Sequence, residues 1–213
     1  MFGPFALDMV AHCRRESHMS LVARAKAILL SPKTEWGVID AEQATVGSLY
    51  TGYVMPLAAI PAVAGFIGWG FIGISGYRWG MGFAITMSVV QYAVALVCTF
   101  ILALIIDALA PTFGGQKSQI QALKVAAYSS TASWVVGIFM ILPALGWLAI
   151  LGLYSLYLLF LGLPKLMKAP AEKAMGYTVV VIVCAIVIYA VVGGITATLL
   201  PRPGLGGLPG LTP

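Results

Sequence analysis

The sequence predicts an all-α fold, a polytopic membrane helix bundle of five transmembrane helices with a short amphipathic N-terminal arm, and three observations predict it. Of the 213 residues, 61% are hydrophobic and 9% charged, against roughly 45–50% and about 25% in a soluble domain. Beyond Ser48 the chain falls into five apolar runs, each near the roughly 20 residues that a bilayer-crossing helix needs. These runs take up almost everything after Ser48, which leaves no soluble domain of useful size.

Residues 1–19 read as a disordered or artefactual extension. The apolar FGPFALDMV precedes the charged HCRRESH, the reverse of the order in a signal peptide. His12, Cys13 and His18 fit a solvated tail, and Cys98 and Cys184 lie far off, so neither a disulfide framework nor a metal site is expected. Residues 20–47 are expected to form interfacial helices on the cytoplasmic side. In SLVARAKAILLS, Leu21, Val22, Ala25, Ile28 and Leu29 share one helical face while Arg24 and Lys26 lie off it, which suits a short helix on an anionic membrane surface. Ser31-Pro32 then provides an N-cap and first helical position for SPKTEWGVID. Its Trp36 is either an interfacial anchor or a packing residue against the bundle.

The spans are expected at about 48–73, 83–110, 122–142, 145–163 and 177–200. In the first, Pro56 and Pro61 should kink the helix, each leaving a carbonyl one turn earlier without its donor. In the second, Gln91, Ala95 and Thr99 recur at helical spacing, so one side should face protein. It ends at Asp107, an acid in an apolar context and so a functional candidate, although pairing with Lys117 or Lys124 or capping the next helix is the plainer role. Pro111 stops that span, and Gly114 and Gly115 turn the chain. The third span opens with AAYSSTASW, whose small and hydroxyl side chains suit the centre of a bundle. In the fourth, Tyr154 and Tyr157 lie one turn apart; the fifth, mostly Val, Ile and Ala, suits lipid contact. The Pro- and Gly-rich residues 201–213 are expected to be disordered.

Of the 12 Lys and Arg residues, only Arg78 and Arg202 fall on one side of this topology. The bias places the N-terminus in the cytoplasm and the tail outside. The net charge of +5 is therefore a topology signal, and nucleic acid is not expected as a partner.

The segments SPKTEWGVI, LYTGYVMPLAAIPA, LAPTFGGQKSQIQALKVAAYSSTASW and YSLYLLFLGLPKLMKAPAEKAMGYT together resemble the bacterial branch of the Yip (Ypt/Rab-GTPase-interacting protein) domain family, from Ser20 to about Leu200. The resemblance implies a five-span bundle in the bacterial inner membrane with a cytoplasmic N-terminus. The family often carries a proline a few residues after AYS, where this chain has Ala132, so no kink in the third span is implied. Eukaryotic relatives serve vesicle traffic through an acidic, tyrosine-containing cytosolic motif that this chain lacks.

Two functions remain. The first is a non-enzymatic membrane scaffold or adaptor, with the lipid bilayer and other membrane proteins or further copies as partners, no cofactor and no catalytic residues. Both histidines lie in the doubtful extension, and GGQKS lacks the spacing of a phosphate-binding loop. The alternative is a small-solute or ion/proton permease or channel. Its site would be a cavity between the second, third and fourth spans, faced by Asp107, Gln91, Tyr128, Ser129, Thr131 and Tyr154.

Overall fold

A computed structural model describes residues 20–73 and 80–199. The expectations for residues 1–19 and for the tail at 201–213 lie outside the described residues. The arm consists of α1 (Leu21–Leu30) and α2 (Pro32–Ala41). Five helices long and apolar enough to cross a membrane follow: α3 (Val46–Ile72), α4 (Met81–Phe113), α5 (Gln119–Ile141), α6 (Ala144–Leu166) and α7 (Ala171–Thr198).

Local chemistry fixes where each helix begins and bends. Thr45 and Ser48 form a reciprocal capping box at the start of α3. Residues Tyr50–Val54 then widen into a π turn in which the Met55 N–H reaches the Tyr50 carbonyl. Pro56 has no N–H to offer its preceding turn, and i→i+5 bonding passes over that missing donor. Ser31 precedes α2, but its side chain makes no capping bond there. The turn after α4 uses Gly114 at φ +74°, a left-handed conformation open to glycine. The Gln116 N–H then bonds the Met167 carbonyl at 2.8 Å, tying the loop to the end of α6.

α5 is the central helix: 56% of its apolar window is buried, against 11% for α6 and for α7. Its approach to α3 is close, since a Cβ on Gly137 would stand 2.6 Å from the Pro61 Cβ. Small residues at such crossings replace hydrophobic drive with tight backbone contact.

Although Ala132 stands where the family often has proline, α5 is interrupted just before it, at Ser130. The Ser130 hydroxyl donates to the Ala126 carbonyl (2.8 Å) and the Thr131 hydroxyl to the Tyr128 carbonyl (2.8 Å), in competition with the backbone ladder. The last turns of α5 (Gly137–Ile141) and the first half of α6 (Pro143–Leu153) are 3₁₀.

Candidate functional site

Lys124 lies in the first turns of α5 and is only 2% exposed. A buried ammonium needs partners, and its Nζ donates to the carbonyls of Ile39 (2.8 Å) and Glu42 (2.5 Å). Those oxygens stand at the C-terminal end of α2, where carbonyls lack intrahelical donors and the helix dipole is negative. A cation on one span thus caps a helix of the arm.

Arg24 of α1, 5% exposed, reaches Glu35 at 2.5 Å and Glu42 at 2.7 Å. Burial opposes the guanidinium charge, but the bond to Glu35 and the field of Glu42 outweigh it and raise the Arg24 pKa above its ordinary value. With Lys124 the cluster holds two positive and two negative groups, so charge enters the packed interior as a neutral set.

Aromatic packing continues this cluster into the bundle. Trp36 is 1% exposed and packs edge-on to Tyr128, with ring centroids 6.4 Å apart. The approach depends on Gly162, where a Cβ would come within 2.7 Å of the Trp36 ring. Tyr53 packs on Tyr128 at 4.4 Å and its hydroxyl shares a 2.7 Å bond with Thr131. Of the two roles open to Trp36, packing against the bundle is the one observed. Its Nε1 is buried without a hydrogen-bond partner among the described residues.

The six residues expected to face one cavity are divided among five places. Tyr128 and Thr131 join the cluster just described. Ser129 is buried and spends its hydroxyl on the Ala126 carbonyl. Asp107 accepts the Ser118 N–H at 2.7 Å, at the residue that precedes α5, and forms no ion pair among the described residues. Tyr154 donates to the Leu29 carbonyl at 3.1 Å and so faces the arm. Gln91 alone of the six lines a cavity of about 710 Å³, together with Pro61, Ser130, Ser133, Trp134, Ser155 and Tyr189. The sequence grouping fails because hydroxyls on consecutive residues of a broken helix point to different neighbours.

The arm also departs from expectation. Val22, on the face expected to meet the membrane surface, is 74% exposed, but Arg24, expected off that face with Lys26, is turned inward and buried. Neutralisation by Glu35 and Glu42 is what permits that rotation. Glu35, Glu42 and Tyr53 carry no expectation in the sequence, and Arg24 and Lys124 carry different ones, as a cation off the apolar face of the arm and a partner for Asp107. One signal pointed to Lys124, an ionisable residue just inside an expected span.

Comparison with known proteins places this arrangement. Residues 26–193 match the family model described as Yip1 domain. The chain is 26% identical over 179 residues to the protein named Inner membrane protein YohC from two strains of Escherichia coli, covering 79% of this chain and 91% of the relative. No solved structure matches.

Proposed function

The chain belongs to the Yip1-domain family, and on that premise we propose that it is a non-enzymatic inner-membrane scaffold or adaptor, organising other membrane proteins or lipid. The name of the Escherichia coli relative supports the inner-membrane location, and the Lys and Arg bias supports a cytoplasmic arm with the C-terminus outside. The observation that carries the reading is the neutral cluster of Arg24, Glu35, Glu42 and Lys124. Its charges are committed to one another and to backbone carbonyls: the Arg24 pairs join the two arm helices and Lys124 holds the arm on the bundle, so none stands ready for a substrate. Meanwhile α6 and α7 turn apolar residues outward, among them Trp147, Ile150, Ile186 and Val187.

Photo-crosslinkable residues at Trp147 and Ile186, in native membranes, test this. Discrete protein adducts are expected; adducts to lipid alone at both positions would overturn the adaptor reading.

One observation favours the permease reading, namely the cavity that Gln91 shares with Ser130, Ser133 and Ser155. Solute and proton flux in proteoliposomes, compared between wild type and Gln91→Leu, decides between the two. Flux that disappears with Gln91 would replace the scaffold by a permease, and equal, background-level flux would retire the permease.

A further inference from the structure

Contacts between α2 and α6 advance in step along both helices. Trp36 lies on Gly162, a Cβ on Gly37 would stand 3.9 Å from the Lys165 Cε, and Asp40 pairs with Lys168. α2 therefore runs in the same direction as α6, toward the arm-side end of the bundle, and the Ser31-Pro32 turn points the other way, into the membrane. At that deep end the Tyr154 hydroxyl holds the Leu29 carbonyl. The segment Thr131–Val136 of α5 also contacts α1, which places α1 at the same level on a second span.

The depth follows from helix geometry. Tyr154 opens the 13-residue α-helical part of α6 that ends at Leu166, and so lies about 18 Å from that end at about 1.5 Å per residue. The 3₁₀ half of α6 on its other side covers about 20 Å at about 2.0 Å per residue of a hydrocarbon core about 30 Å thick. Leu29 and Leu30 are thus about 10 Å inside the arm-side boundary of the hydrocarbon.

The outward face at that level has a definite chemistry. Val22, Lys26 and Leu30 recur every four residues and are all exposed, Leu30 by 70%. Lys33, just past the turn, is exposed as well. Apolar side chains at acyl depth beside lysines that can extend toward the headgroups suit an anionic phospholipid: its chains rest on Val22 and Leu30, and its phosphate meets Lys26 and Lys33.

We infer that the arm is a re-entrant helical hairpin wedged into the arm-side leaflet, and that its outer face binds anionic phospholipid. This goes beyond the scaffold reading and stands whether or not proteins are captured at α6 and α7.

The test uses the full chain in nanodiscs of phosphatidylglycerol and phosphatidylethanolamine, with Cys13, Cys98 and Cys184 replaced by alanine. A nitroxide at Leu30→Cys is expected to be relaxed by membrane-dissolved oxygen more than by an aqueous nickel complex. A label at Thr112→Cys, exposed in the last turn of α4 at the arm-side end, should show the reverse order. Native mass spectrometry of the detergent-extracted protein should show retained phosphatidylglycerol falling roughly tenfold in Lys26→Ala with Lys33→Ala. A Leu30 label open to the nickel complex would overturn the wedge. A label shielded from both reagents would mean that a protein covers the face, and unchanged phosphatidylglycerol retention would mean that the lysines bind no lipid; either overturns the assignment.

Discussion

The two halves of this bundle are built differently. On the arm side, α5 is α-helical, Lys124 and Arg24 are buried with every charge matched, and aromatic rings close over Gly162. On the far side the chain winds as 3₁₀ from Gly137 to Ile141 and from Pro143 to Leu153, a cavity of about 710 Å³ lies between the spans, and Trp147 points outward. The first half is specified by directional bonds, the second mainly by apolar contact, which membrane lipid supplies nearly as well as protein does. The arm-side end should therefore be stiff and intolerant of change, and the far end permissive away from the close crossings at Gly137 and Gly68.

The largest expected effect breaks the stiff half. Arg24→Ala leaves Glu35 buried without its cation, a loss of about 3–5 kcal/mol. It should appear as a steep drop in thermal unfolding temperature, followed in detergent by tryptophan fluorescence. Arg24→Leu combined with Glu35→Leu removes both charges and should recover more than half of that loss. If Arg24→Ala cost no more than Trp147→Ala on the permissive half, the contrast between the halves would collapse.

A mid-sized effect sharpens the comparison with one methyl group at each end. Gly162→Ala drives a Cβ into the Trp36 ring, whereas a Cβ on Gly146 meets open space. Overpacking of this kind costs about 1–3 kcal/mol. The arm should loosen in the first variant, so trypsin cleavage at Arg24, buried in the wild type, should accelerate, while Gly146→Ala should cleave at the wild-type rate. Equal rates in both variants would mean that Trp36 does not hold the arm.

These contrasts also show what the sequence could carry. Five spans are legible because spanning is a matter of apolar length, and the central place of α5 is legible in AAYSSTASW, since small side chains allow close neighbours. The inner face of α1 is not. Arg24 counts as polar in any periodicity, and its burial depends on Glu35 and Glu42, which lie 11 and 18 residues away. Lys124 was readable as an ionisable residue inside a span, but it also fits the positive side of the topology, and that role hid the other. Tyr128 and Thr131 were singled out without Tyr53, because an apolar span shows which of its residues are polar and not which will meet. Nothing in PALGWLAILGL announces 3₁₀ geometry.

The smallest expected effect concerns Asp107, which lies at the boundary of the stiff half and accepts the Ser118 N–H ahead of α5. If its role is to tether that helix start, the acceptor oxygen matters and the ionisable proton does not. Asp107→Asn keeps an acceptor and should cost only about 0.5 kcal/mol, the lost attraction of a carboxylate to a helix N-terminus. Asp107→Ala removes the acceptor and should cost about 1 kcal/mol, as deletion of a capping side chain does. A proton carrier has the opposite profile, because the amide abolishes titration as completely as alanine does. Parallel unfolding and proteoliposome proton-flux measurements on the two variants separate these roles: graded stability with unchanged flux identifies the tether, and equal loss of flux in both identifies a carrier.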